Sequence, residues 1–236
     1  MTAKLPAAIE LLRFTDRQHC AEAVAAHVAA ALALDIADHG SASLAVSGGS
    51  TPAPMFKTLS RLDLGWDKVA VTLADERWVN PDHADSNQAK VQQLLLQNDA
   101  AAANYIPLWN NHSDGAADAA ALAETEQALQ QLPEKLSCVI LGMGNDGHTA
   151  SLFPCSSELA SLWDAESAAA WCQPTTAPHQ RITLTPQRLF ASKERILHLN
   201  GLDKLETLMK ALAGTDVSEM PIRAFLNQPI TVFWAP

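Results

Sequence analysis

The sequence predicts an α/β fold whose parallel sheet is covered on both faces. Short apolar runs rich in β-branched residues alternate with helical patterns along the chain, and three of those runs end in glycine-bearing or charged loops. The length agrees, since 236 residues bury a sizeable core.

Residues 16–38 read as a helix, with Thr15 or Asp16 as its cap, an alanine-rich interior and Gly40 placed to stop it. Residues 43–47 (SLAVS) fit a buried strand, and 48–52 (GGSTP) a loop. Pro54 stands near the start of the next helical pattern, where a missing N–H costs little. Residues 68–74 (KVAVTLA) form a second strand, 75–85 a polar loop and 86–97 a helix. Another alanine-rich helix is expected over 114–132, closed by Pro133, and a third buried strand over 137–141 (SCVIL). Further strands are expected at 181–185, 195–199 and 230–234, with a helix over 202–213 between the last two. Residues 155–178 show no clear pattern and read as an excursion near a site. No repeat or low-complexity linker divides the chain, so one domain over 1–236 is expected.

Composition narrows the function classes. Hydrophobic residues make up 48% and charged residues 18%, a globular balance. The start shows no secretory pattern: Pro6 and Glu10 break its apolar stretch, and no small-residue cleavage site follows. The alanine-rich stretch 21–37 comes nearest to a membrane span, but Glu22, His27 and Asp35 interrupt it. Cys20, Cys138, Cys155 and Cys172 lie far apart without a CxxC pair, as expected for free thiols in a reducing, cytoplasmic compartment. Cys138 reads as core. The net charge of -10 argues against nucleic acid and anionic membrane as partners. An anionic ligand would need local donors, both backbone N–H groups and one or two cations, to overcome that field.

Three loops offer such chemistry, each after a strand, where open α/β sheets bind ligands. Gly48, Gly49, Ser50 and Thr51 can turn backbone N–H groups and hydroxyls toward one anion, ahead of a helix and without a Walker lysine. A plain strand-to-helix turn that needs glycine is the alternative. No GxSxG is present, so a nucleophile elbow is not supported. Asp75, Glu76 and Arg77 follow the second strand, and Arg77 can fork onto a phosphate or carboxylate; a solvated turn with an internal Asp–Arg pair is the alternative. The third loop, 142–149 (GMGNDGHT), matches GxGxxG, but Pro154 follows too soon for the long helix of a dinucleotide site. His148 there is a candidate general base with Asp146 beside it, against the alternative of an idle or helix-capping loop histidine. His148, Asp146 and His179 are possible metal ligands, but no ligand spacing supports a metal.

Taken together, SGGSTP (47–52), DERWV (75–79) with DSN (85–87), and GMGNDGHTASLFP (142–154) resemble the 6-phosphogluconolactonase family. RITLT (181–185) followed by a short helix, and Lys204 in GLDK, fit as well, and the matches run in order over most of the chain. The resemblance implies a Rossmann-like three-layer α/β sandwich with a mostly parallel central sheet, shared with glucosamine-6-phosphate deaminase and ribose-5-phosphate isomerase. It implies hydrolysis of 6-phospho-D-glucono-1,5-lactone in the pentose phosphate pathway, without metal or organic cofactor. Carried over by motif, Gly48, Gly49, Ser50 and Thr51 belong to the phosphate cradle, Arg77 and Lys204 supply cationic contacts, and His148 is the base. The chemistry of the residues themselves agrees, with Asp146 or Asp75 expected to orient the imidazole or a substrate hydroxyl. The expected partner is a sugar phosphate lactone, and the expected state a monomer or weak homo-oligomer. A glucosamine-6-phosphate deaminase is the nearest rival, but 149–154 (TASLFP) lacks a glutamate after His148. A sugar-phosphate sensor is a third reading, and no helix-turn-helix or basic segment accompanies it.

Overall fold

The computed structural model describes residues 6–111 and 115–236. Seven strands form one sheet in the order β1 (Ile9–Arg13), β10 (Ile230–Ala235), β9 (Ser192–Asn200), β6 (Leu136–Leu141), β2 (Ala42–Val46), β3 (Val69–Leu73), β5 (Asn104–Tyr105). Every pairing in it is parallel. Every residue of β2, β6 and β10 is buried, which is why these strands read as continuous apolar runs rather than alternating ones. Flanking helices complete the α/β architecture expected from the sequence.

Helix α1 (Arg17–His39) shows how local chemistry sets an element. The Asp16 carboxylate accepts the His19 N–H at 2.9 Å, and Gly40 at φ 80 returns its own N–H to Ile36. Cys20, Val24, Val28 and Leu32 recur at helical spacing and are fully buried in the core shared with the sheet. By length and composition α1 could cross a membrane, with mean hydropathy 1.6, yet this stripe is spent on the core. Asp35, near its end, is buried and pairs with Lys193 at 2.5 Å.

Strands β2 and β6 are clasped through reciprocal hydroxyl bonds. Ser43 N–H donates to Ser137 Oγ at 2.8 Å, and Ser137 N–H to Ser43 Oγ at 3.0 Å. Helices α2 (Ala53–Leu59) and α3 (Asn87–Leu94) begin where expected, α3 with Ser86 Oγ accepting the Ala89 N–H. Helix α4 (Ala119–Leu129) is capped by Asp118 and is shorter than the 114–132 read from alanine content; Asp114 lies outside the described residues. Helix α7 (Leu202–Leu212) is as expected.

The departures concentrate in a second, three-stranded antiparallel sheet. Its order is β4 (Asp75–Arg77), β8 (Arg181–Leu184), β7 (Ala169–Cys172). Residues 75–77, read as part of a loop, are thus a strand. Chain passes from β3 into β4 through Ala74 alone, whose N–H donates to Val46 O while its carbonyl accepts the Leu184 N–H. The unpatterned stretch 155–178 supplies α5 (Leu159–Trp163) and β7. Helix α6 (Pro186–Phe190) is the short helix after RITLT, and α8 (Ile222–Leu226) precedes β10. All four cysteines are free, and Cys138 is fully buried.

Candidate active site

Chain order along the large sheet reverses between β2 and β6: β3 and β5 lie beyond one, β9 and β10 beyond the other. Such a switch point opens a crevice at the carboxyl ends of the strands. A cavity of about 340 Å³ sits there. It is lined by the loop after β2, the loop after β6, the charged face of the small sheet and the start of α7. Gly48, Gly49, Ser50, Thr51, Asp75, Arg77, His148 and Lys204 all line it, and Asp146 stands directly behind His148.

The loop after β2 presents backbone donors to the cavity. No other described residue accepts the backbone N–H groups of residues 48–51, which leaves them for a ligand. Gly48 is required by contact: a Cβ there would lie 1.9 Å from Asn87 Oδ1. Asn87 in turn donates Nδ2 to the Asp75 carbonyl, tying the loop to β4.

His148 is held on three sides. Its Nδ1 lies 2.6 Å from Asp146 Oδ1, which also accepts the His148 backbone N–H at 3.1 Å. Its ring stacks on Phe153 with centroids 4.0 Å apart and planes at 26°. Below it, Gly144 leaves no room for a side chain, since a Cβ would meet His148 Nδ1 at 2.1 Å. Burial works against charge on Asp146, but the His148 hydrogen bonds and charge outweigh it and hold the carboxyl below its ordinary value. Asp146 is therefore a carboxylate at neutral pH, Nδ1 carries the proton, and Nε2 is the basic nitrogen. No helix opens after this loop before Leu159, so it does not build a dinucleotide site.

The small sheet brings the charges. Asp75 is buried and faces Arg181 and Ser151: Ser151 Oγ donates to Asp75 Oδ2 at 2.6 Å, and Arg181 Nη1 is 3.7 Å away. It is Asp146, not Asp75, that touches the imidazole. Arg77 is aimed by its neighbours, Nη1 donating to the Asp85 carbonyl at 2.6 Å. Glu76, fully buried between them, accepts the backbone N–H groups of Arg77, Asn87 and Gln88 and the Ser86 hydroxyl. Burial raises its pKa against the pull of those donors. Lys204 donates Nζ to Asn145 Oδ1, reaching from α7 to the base loop.

Residues not singled out as site residues from the sequence also line the cavity: Asn87, Arg181, His198 and Asn200. Asn87 and Arg181 lay inside quoted motifs, DSN and RITLT, which was a usable signal. Arg181 stands over the Phe153 ring, 5.4 Å from its centroid, and burial pulls it below the ordinary guanidinium value while Asp75 opposes. His198 is buried in β9 without a hydrogen-bond partner on either nitrogen, and burial holds its imidazole down at about 4. Nothing local distinguishes it from other strand residues. The metal trio considered from sequence does not assemble, because His179 pairs with Asp85 rather than with Asp146 and His148.

A glycine-rich loop, two arginines, a lysine and a carboxylate-oriented histidine surround one crevice at the strand ends of an α/β sheet, the layout of an α/β enzyme. Residues 15–234 match the family model described as glucosamine-6-phosphate isomerases/6-phosphogluconolactonase, and the chain belongs to that family as an enzyme of its 6-phosphogluconolactonase branch. A 6-phosphogluconolactonase of Pseudomonas putida is 43% identical over 99% of this chain and 96% of its own length. One from Pseudomonas aeruginosa is 42% identical over 99% and 98%. The crystal structure of a 6-phosphogluconolactonase from Shewanella baltica superposes with a TM-score of 0.94 at 39% identity, covering 99% of this chain and 100% of the other.

Proposed function

We propose that the protein hydrolyses 6-phospho-D-glucono-1,5-lactone to 6-phospho-D-gluconate, the lactone step of the pentose phosphate pathway, with His148 as general base. The observation that carries this reading is the Asp146–His148 pair opening onto the same cavity as the free N–H groups of the 48–51 loop. The phosphate sits on Gly48, Gly49, Ser50 and Thr51 with Arg77 and Lys204 as countercharges, and Arg181 adds a third cation. Water gives a proton to His148 Nε2 as its oxygen attacks the lactone carbonyl. The tetrahedral intermediate collapses with cleavage of the bond to the ring oxygen, which takes that proton back. Asp146 holds the tautomer and stabilises the transient imidazolium, while Asp75, fixed by Ser151 and Arg181, is placed for a substrate hydroxyl. A lactone is already electrophilic, so base, orientation and a held phosphate suffice, with no metal or organic cofactor. The whole chain serves this site as one cytoplasmic domain, a monomer or weak homo-oligomer.

The deaminase alternative needs an acid to open a hemiacetal ring and a base to move a carbon-bound proton. The hydroxyls after His148 are already engaged, Thr149 on the Gly142 carbonyl and Ser151 on Asp75. The test compares wild type with His148→Ala on the lactone, after subtracting spontaneous opening, and on glucosamine 6-phosphate. Expected are a kcat loss of about 10²–10⁴-fold in the variant and no ammonia from either protein. A variant above about a tenth of wild-type kcat would remove His148 as base, and ammonia release without faster lactone opening would overturn the lactonase reading.

A further inference from the structure

We infer that His83, Asp85 and His179 form a binding site for a zinc-like divalent transition metal beside the catalytic cavity. One donor atom from each of these side chains lies within 4.8 Å of the other two, the one such trio among the described residues. His179 Nε2 is 2.9 Å and His83 Nδ1 3.9 Å from Asp85 Oδ2. Donors around a tetrahedral zinc stand roughly 3.3 Å apart, so the widest pair has at most about 1.5 Å to close, within reach of side-chain rotation. Two imidazoles and one carboxylate match a borderline ion and leave a position open.

Both histidines are already tied to Asp85. Asp85 N–H donates to His83 Nδ1 at 3.1 Å, so that nitrogen carries a lone pair rather than a proton. His179 Nε2 is hydrogen-bonded to Asp85 Oδ2 at 2.9 Å, and an incoming ion takes the place of that N–H proton. The frame is also fixed: His179 precedes Gln180, whose carbonyl accepts the Trp78 N–H at 2.7 Å where β4 meets β8. Arg77 and Lys90 face Asp85 and oppose a cation. The site is accordingly a three-ligand exchangeable one, unlike a closed structural zinc. Its position has a consequence for the cavity, because the Asp85 carbonyl anchors Arg77. An ion on the Asp85 carboxylate stiffens the turn that aims that guanidinium, and its effect falls on KM rather than on kcat.

The test is calorimetric titration of the metal-free full-length protein with zinc chloride, without substrate, so that its result is independent of the lactonase reading. Expected is one ion per chain, bound at least about tenfold more weakly by His83→Asn and by His179→Asn, and unchanged by His148→Asn. Asparagine suits position 179, which has φ 70. In parallel, NMR of wild-type imidazole resonances during the titration should shift His83 and His179 before His148. No saturable binding, unchanged affinity in both variants, or first shifts at His148 would each overturn the assignment.

Discussion

Replacing Gly144 by alanine isolates the positioning of the base from everything else in the site. Gly144 is not among the glycines with left-handed φ, so alanine is allowed by the backbone and acts through its methyl group alone. That methyl would stand 2.1 Å from His148 Nδ1 and 2.5 Å from Asp146 Oδ1, where ordinary contact begins at 3.4 Å. The imidazole must retreat by about 1.3 Å, away from its carboxylate or off the Phe153 ring, and a misplacement of about 1 Å costs on the order of 10²-fold in rate. The lost hydrogen bond is about a third exposed and changes stability by only about 1 kcal/mol. The 48–51 loop and Arg77 are untouched. Gly144→Ala should therefore lower kcat for lactone opening about 10²-fold while the Kd for 6-phosphogluconate stays within about threefold. Stopped-flow hydrolysis corrected for spontaneous opening, with calorimetry of the product complex, measures both. A kcat within threefold of wild type, or an equal loss in product affinity, would refute the claim that the Gly144 gap positions a catalytic imidazole.

Arg77→Ala and Lys204→Ala should weaken 6-phosphogluconate far more than unphosphorylated gluconate, read by calorimetry of both ligands; equal losses would show that these side chains do not read the phosphate. Prolonged dialysis against a strong chelator should leave kcat for lactone opening unchanged, and loss restored by a divalent ion would overturn the metal-free mechanism. Asp35→Asn should cost about 1 kcal/mol at pH 7 in urea denaturation, since burial opposes the Asp35 charge but Lys193 and Ser137 outweigh it and lower its pKa. A carboxyl depressed by folding stabilises above its unfolded value and loses that contribution as pH falls through its folded one, so the gap between wild type and variant should close as the pH drops below the ordinary aspartate range; a gap independent of pH would assign the loss to packing instead.

Elements with local punctuation were legible from the sequence. Asp16 and Gly40 bracket α1, and the uninterrupted apolar runs of β2, β3 and β6 announce strands buried on both faces. Elements that exist only through long-range pairing were not. Strand β4 is three charged residues that look like a solvated turn, and it is a strand because β8 pairs with it and because Glu76 finds its donors 11 and 12 residues away. Strand β7 (AAWC) carries small residues with no alternation and is defined by β8 alone. Edge strand β1 interleaves Glu10 and Arg13 with apolar residues and has a single neighbour. At the site, the glycine-rich 48–51 loop and the pairing of His148 with Asp146 were readable because each is carried on one loop. The partnership of Asp75 with Ser151 and Arg181, and the burial of His198, depend on how the two sheets meet, which no local window contains.

The reciprocal Ser43–Ser137 clasp joins residues 94 positions apart, and it has a consequence for how the site comes into being. Parallel neighbours this distant must close a long loop before any pairing rewards them, which makes such contacts late and slow. A slip of one residue between β2 and β6 would strand both hydroxyls and turn their buried side chains to the wrong face. The clasp thus selects a single register, and that register alone sets the 48–51 loop beside the 142–148 loop. During synthesis the 48–51 loop emerges about a hundred residues before His148, and Lys204 follows later still. The pocket in this sense is assembled from segments that stretch from Ser47 to Lys204, and it takes shape only when all of them have folded together.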